Sequence, residues 1–331
     1  MIDLLASEPQ FLDHLSPVWR ALEEPGAFMV MGPGEVDNPR ETERMLAYAA
    51  ERGIAAVRAA GGDRPILVAS YGDVKQARRL GRTRIAFLEH GIGQSYVGLR
   101  HGSYAGGPDR DDVGLFLVPN EHAASRWRDA YPGASVQVVG SPKLDTLPAG
   151  PDASAPPVVA VAHHWACTLV AETMPAFAWF RTAYPALAKR YAVLGHGHPR
   201  IFPALARAYR QLGVEPVEDF TEVCRRAHVL IADNTSALYE FASTGRPVVV
   251  LNPPWYRRSV EHGLRFWEAA TVGSQVDEPA QLLATVETAL EDPDSAARER
   301  ALDIVYAHRT GAAERAARAI IDWLAPIAVA A

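Results

Sequence analysis

The chain has 331 residues, 48% apolar and 22% charged, with a formal net charge of −6. That length makes two domains the natural expectation and lets a large core form without cross-links. The negative charge leaves no global basic footprint for nucleic acid, and two cysteines, Cys167 and Cys224, are too few for a disulfide framework or a cysteine-bound metal cluster.

The opening "MIDLLASEPQ" has no basic segment followed by a long apolar run, so no signal peptide is expected. Next come apolar runs that read as strands: "AFMVMG" (27–32), "PILVAS" (65–70), "RIAFLEH" (84–90), "GLFLVPN" (114–120) and "VQVVG" (136–140). Helical stretches alternate with them. "RETERMLAYAAERG" stops at Gly53, and "EHAASRWRDAYPG" stops at Pro132-Gly133. The stretch "SPKLDTLPAGPDASAPP" (141–157) holds five prolines among small and polar residues and reads as a linker. A second series follows: "PVVAVAHH" (157–164), "YAVLGHG" (191–197), "HVLIADN" (228–234) and "PVVVLN" (247–252). Continuous Val/Ile/Leu runs suit a parallel sheet covered on both faces. From about 278 the chain reads as helices, and its apolar tail is too short to span a bilayer. The expected fold is α/β, with two Rossmann-like doubly wound domains over 1–145 and 146–331, the second ending in helices. Ligands in such sheets bind beyond the carboxyl ends of the strands, so the expected site is a cleft between the domains.

Three strand ends carry candidate chemistry. In "FLEHGIGQ", His90 ends a buried strand, and an imidazole there can take a proton from a hydroxyl near neutral pH. Glu89 is placed to orient it or to pair elsewhere, while Gly91, Gly93 and Gln94 begin a glycine-rich loop reaching to about Asp112. The bland alternative is a strand-end histidine satisfied by backbone. In "LGHGHPR", His196, His198 and Arg200 suit an anionic group. A metal on the two histidines lacks a nearby third ligand, so none is expected. In "LIADNTSALYEFASTGRPVVVLN", a strand ends at Asp233, and Asn234, Thr235 or Ser236 caps a helix that Gly245 stops. Such a helix start suits a nucleotide diphosphate, and Glu240, one turn on, can accept bonds from ribose hydroxyls. The plain alternative is an ordinary capped crossover helix.

With "EHGIG", "GSPKLD", "GHGHPR" and "ADNTSALYEFASTGRPVVVLN" in order, residues 65–255 resemble the CDP-glycerol glycerophosphotransferase family of teichoic-acid-type polymer enzymes. The resemblance implies a GT-B-like fold, two Rossmann-like domains facing across a cleft. It implies His90 as catalytic base, His198 on the pyrophosphate or leaving group, and Thr235 and Ser236 on phosphate oxygens. Ile92-Gly93 stands where that family usually has Thr-Pro. The last motif is also similar to UDP-sugar GT-B enzymes, including UDP-N-acetylglucosamine 2-epimerases, in which an acid matching Glu240 would hold the ribose.

The leading expectation is a cofactor-free, metal-independent transferase moving glycerol phosphate or a sugar from a CDP- or UDP-linked donor to an acceptor hydroxyl. A cytoplasmic setting is expected, at the inner face of the membrane if the chain makes peripheral contact there. The alternatives are a UDP-sugar glycosyltransferase or 2-epimerase-like enzyme, and a non-catalytic nucleotide-binding protein.

Overall fold

The structure, a computed structural model, describes residues 1–33, 38–92, 104, 106–166, 174–256 and 272–325. The chain divides into two compact units, joined after Thr146.

The first unit is built on a seven-stranded parallel sheet in the order β3-β2-β1-β4-β5-β6-β7. Its strands are β1 (Asp3–Ala6), β2 (Phe28–Val30), β3 (Val57–Arg58), β4 (Ile66–Val68), β5 (Ile85–Leu88), β6 (Val113–Val118) and β7 (Ser135–Val138). Strand order reverses between β1 and β4, which pair in parallel with Leu4 opposite Leu67. Helices α1 (Pro9–Ala21) and α2 (Pro39–Glu51) cover one face, and α3 (Tyr71–Arg79) and α4 (Glu121–Ala130) the other. Alternation along the strands supplies both cores: Leu4, Ala86 and Leu88 face α1, while Leu5, Ile85 and Phe87 face α3 and α4.

The strand β1 was not among the expected elements. It is only four residues long, and it begins on a charge. Asp3 is buried because Arg82 pairs with it at 2.9 Å and the Ala27 amide donates to it at 3.0 Å. An ion pair thus lets a carboxylate open a central strand.

The second unit carries a six-stranded parallel sheet in the order β10-β9-β8-β11-β12-β13. The strands are β8 (Val158–His163), β9 (Ala192–Gly197), β10 (Glu215–Pro216), β11 (Val229–Ala232), β12 (Val248–Leu251) and β13 (Ser274–Val276). This is the Rossmann order, with its reversal between β8 and β11. The intervening helices are α5 (Phe177–Phe180), α6 (Tyr184–Arg190), α7 (Phe202–Gln211), α8 (Phe220–Arg226), α9 (Ala237–Ala242), α10 (Leu282–Leu290) and α11 (Ser295–Val305). Strand β9 packs closely under α7, and a Cβ on Gly195 would run into the Tyr209 ring.

The last helix, α12 (Ala312–Leu324), lies with the first unit, not with the second domain where the sequence reading grouped it. Ala316, Ala317 and Ile320 join the core formed by Phe11, Leu12 and Leu15. Asp145 in "SPKLD" accepts the Ala313 amide at 2.8 Å and ties that turn to the start of the helix. The linker expected over 141–157 therefore begins with a short 3-10 turn, Pro142–Thr146, that belongs to the first unit.

Candidate functional site

Strand β5 delivers two side chains to opposite faces of the first sheet, as alternation requires. Glu89 turns toward α4. Trp127 Nε1 donates to it at 2.9 Å, and the Tyr104 hydroxyl donates to its other oxygen. Burial pushes the Glu89 carboxyl above its usual range, offset in part by these two bonds and by Arg126 and Arg110. Of the two expectations for Glu89, orienting His90 or pairing elsewhere, the structure has the second: it is held within the α4 layer and does not orient the imidazole.

His90 turns toward α1. Its ring meets Phe11 edge-on at 4.9 Å between centroids and His14 at 6.2 Å. Nδ1 lies 2.5 Å from the Ala69 carbonyl oxygen. A carbonyl only accepts, so Nδ1 carries the proton and Nε2 is the basic nitrogen of the neutral ring. A Cβ on Gly91 would meet open space, and its backbone is not left-handed, so the fold itself does not demand glycine there. Gly93 and Gln94 lie outside the described residues.

The same carboxyl edge holds groups the sequence reading passed over. Asp73, in the first turn of α3, is fully buried. Burial raises its carboxyl to about 7; Ser7 and Ser70 temper the rise, although neither carboxyl oxygen has a well-aligned hydrogen bond among the described residues. His14 is buried on α1 and pushed well below the usual imidazole range by burial, then by the charges of Lys143 and His90. The signal for Asp73 was "SYGD" directly after a strand. His14 had none without knowing that β1 precedes it.

In the second unit the reversal point between β8 and β11 is knit by Asp233. Its carboxylate accepts from His163 Nδ1 at 3.0 Å, from the His164 amide at 2.8 Å and from the Ala176 amide at 2.9 Å. The other ring nitrogen of His163 meets the Tyr184 hydroxyl at 2.6 Å. The side chains of Asp233 and His163 are both 0% exposed. Burial alone would raise the Asp233 carboxyl; the His163 bond, the two histidine charges and the Ala176 amide outweigh it and hold the group below its usual range. Expected to bind substrate, Asp233 is therefore committed to the scaffold: it joins two strand ends and fixes the His164 peptide.

Above that scaffold four side chains gather. His164 and His198 rings are 6.4 Å apart, and Trp165 and His198 are 5.8 Å apart. The Arg200 guanidinium lies over the Trp165 ring at 4.7 Å. The Arg200 amide donates to His198 Nδ1 at 3.2 Å, so Nδ1 is the acceptor and Nε2 carries the proton in the neutral ring. His196, expected to act with them, is separated: its Nδ1 faces the Val217 carbonyl at 3.1 Å, and its ring packs on Phe220. His164 was read only as a strand end, and Trp165 was passed over. The double histidine closing an apolar run was the available signal.

The hydroxyl-rich turn begins as expected and yields a shorter helix, α9, of six residues. Thr235 Oγ1 accepts from the Ala237 amide at 3.4 Å. Ser236 does not cap; its hydroxyl donates to Glu240 at 3.2 Å, and Glu240 is 2% exposed. Asn234 is buried beside Asp233. Gly245 ends the segment at φ +81°, and Arg298 donates to its carbonyl at 2.8 Å. Among the described residues no group of three or more His, Cys, Asp or Glu side chains gathers as a metal would need. A groove of about 680 Å³ on the first unit, lined by Gln137, Arg315, Arg318 and Trp323, contains none of these strand-end residues.

The chain resembles known proteins. Residues 174–322 match the family described as CDP-Glycerol:Poly(glycerophosphate) glycerophosphotransferase. No curated protein matches the chain. Among solved structures, a co-structure of S. aureus MnaA with UDP is similar at 14% identity and TM-score 0.58, covering 97% of this chain and 94% of that one. The wall teichoic acid polymerase TagF with CDPG is similar at 13% identity and TM-score 0.60, covering 97% and 88%. A putative UDP-N-acetylglucosamine 2-epimerase from Listeria monocytogenes is similar at 12% identity and TM-score 0.58, covering 97% and 94%. At these identities the structural likeness speaks to the fold, which is GT-B-like. The matched stretch includes His196, His198, Arg200, Asp233 and Glu240 and excludes His90 and His164. Residues 174–322, a little under half of the chain, are thus similar to the CDP-glycerol glycerophosphotransferase family, a transferase family, within a chain of GT-B-like fold.

Proposed function

We propose that this protein transfers glycerol phosphate from CDP-glycerol to an acceptor hydroxyl, with His90 as general base and the donor at the carboxyl edge of the second sheet. The observation that carries this reading is the opposite hydrogen bonding of two strand-end histidines. His90 donates a hydrogen bond from Nδ1 to the Ala69 carbonyl, which makes Nε2 its basic nitrogen; His198 accepts at Nδ1 from the Arg200 amide, which puts its proton on Nε2. One ring suits removing a proton from a hydroxyl, the other suits a phosphate oxygen. As the acceptor oxygen bonds to the donor phosphorus, its proton passes to His90 Nε2. The phosphoanhydride bond breaks, and its electron pair leaves with the nucleotide phosphate. His198 and Arg200 neutralise that leaving group, and Glu240 and the Thr235–Ser236 turn hold the nucleotide. Neutralisation by side chains fits a reaction without divalent metal, and activity surviving EDTA is the expected result. A cytoplasmic site of action suits a nucleotide-activated donor; no described helix is long and apolar enough to cross a membrane.

A second reading, a nucleotide-sugar epimerase, is favoured by one observation. Asp73 is a buried carboxyl raised to about 7, a second acid–base group on the His90 edge. Nucleotide release and donor conversion together separate the readings: a transferase releases nucleotide only with acceptor, an epimerase converts the donor to its epimer with no net nucleotide release, and a binding protein does neither. His90→Ala is expected to cost about 10²–10⁴-fold in turnover while donor affinity stays near wild type. Near wild-type turnover with a lower melting temperature would make His90 a structural residue and remove the base.

A further inference from the structure

Strands β8 and β9 are neighbours, paired in parallel with His163 opposite Gly197. The pairing continues past the strand ends, where the His198 amide donates to the His163 carbonyl at 3.1 Å. The two segments therefore leave the sheet side by side, and His164 and Trp165 arrive next to His198 and Arg200. Both segments are tied down. The Asp233 carboxylate accepts the His164 amide at 2.8 Å, and the Trp165 carbonyl accepts from His164 Nδ1 at 2.8 Å. The His198 carbonyl accepts the Ile201 and Phe202 amides at 3.0 and 3.1 Å, at the start of α7. On this frame the Trp165 ring meets both groups assigned to the leaving phosphate. The His198 ring lies 5.8 Å away, and the Arg200 guanidinium lies over the indole at 4.7 Å. The transfer chemistry above gives Trp165 itself no part.

We propose that Trp165 is a positioning residue for the transfer, its indole face holding the Arg200 guanidinium beside His198 so that the two meet the donor phosphate as one preformed anion site. This rests on the donor phosphate lying at His198 and Arg200. The need for such a hold follows from the arginine itself. Arg200 is exposed, whereas Trp165 and His198 are half-buried. A long exposed side chain samples many rotamers, and a ligand that had to order it would bind more weakly by that cost. The ring quadrupole of an indole attracts a cation set over its face. A planar guanidinium stacked there keeps N–H groups at its edge for a phosphate oxygen. The main chain of Arg200 serves the same end, because its amide donates to His198 Nδ1 and so sets the imidazole tautomer. Leucine at position 165 would keep apolar bulk and lose the attraction, while phenylalanine would keep a ring face.

The test uses the intact chain and two probes, CDP-glycerol and inorganic pyrophosphate. Their affinities are read by calorimetry in wild type, Trp165→Leu, Trp165→Phe, Arg200→Ala and the Trp165→Leu/Arg200→Ala double variant, with melting temperatures alongside. Trp165→Leu is expected to weaken both probes by roughly 2–30-fold, the span from an exposed to a desolvated stack. Trp165→Phe is expected to recover most of that loss. In the Arg200→Ala background the leucine substitution is expected to cost much less, because the group it acts through is gone. Unchanged probe affinity in Trp165→Leu, with a lower melting temperature, makes Trp165 a packing residue and overturns the proposal. An equal cost with and without the Arg200 side chain overturns it too, since Trp165 then acts on the ligand by another route. In both of these cases Arg200→Ala still weakens CDP-glycerol, so the donor site stands. Arg200→Ala that leaves CDP-glycerol affinity unchanged removes the donor phosphate from this site, and the proposal falls with that reading.

Discussion

At the scale of single residues, the strand ends separate buried carboxylates by what surrounds them. Asp233 accepts from one imidazole and two amides and is held ionised. Asp73 has only two serines to temper its burial and is raised to about 7. The sign of the resulting pH dependence follows. The Asp73 carboxyl binds its proton more tightly in the folded chain than in the unfolded one. Its contribution is present in full below the unfolded value near 4 and is lost as pH rises through about 7. The amount at stake is on the order of 4 kcal/mol. Asp73→Asn removes the titration and keeps the shape. Urea unfolding at pH 4.5 and pH 8 is expected to show the mutant gaining on wild type as pH rises. A constant difference between the two proteins would mean that Asp73 ionises in the fold as it does in the unfolded chain.

At the scale of elements, the sequence pattern located the strands that carry chemistry but not all those that frame them. Strand β5 lies within the expected 84–90, β9 within 191–197, and β11 within 228–234. Each is a continuous apolar run with helices on both sides, so its period and its burial agree. Strands β3 and β10 are two residues long and edge their sheets, too short for any period to show. The last helix was legible as a helix, but its partner was not. An apolar stripe states that a face is covered, and nothing local states by what. Ile320 is buried against the α1 core, whereas its neighbour Ile321 is 49% exposed. Ile320→Ala is expected to lower stability by about 2–5 kcal/mol, and Ile321→Ala by about 0.5 kcal/mol or less. Equal effects in thermal unfolding would contradict the packing of α12 on the first unit.

At the scale of the whole molecule, each unit presents its candidate groups at the carboxyl ends of its strands. In the first these surround His90, and in the second they surround His198. A nucleotide held by the second unit should stabilise the intact protein by mass action. A CDP- or UDP-linked donor at 100 times its dissociation constant is expected to add about 2.7 kcal/mol. A thermal-shift screen with both donor classes therefore reads which base is preferred. No shift with either class at millimolar concentration would count against donor binding at His164, His198 and Glu240.

The sequence by itself determined that two parallel α/β series exist, that strands end just before His90, His198 and Asp233, and that a glycine stops the segment after Glu240. These are local facts: an apolar run, a turn residue and the side chain that follows a strand lie within a few positions of one another. Only the tertiary structure decided which of those side chains meet. Glu89 and His90 are adjacent in sequence, yet the pleat sends one to Trp127 and the other to His14. Asp233 reaches His163 across 70 residues because β8 and β11 are neighbours at the reversal point. The "SPKLD" turn meets α1 and is tied through Asp145 to α12, which are far from it and from each other in sequence. Pairings of this kind depend on strand order and helix docking, which the burial of distant apolar faces sets and no short stretch of chain encodes.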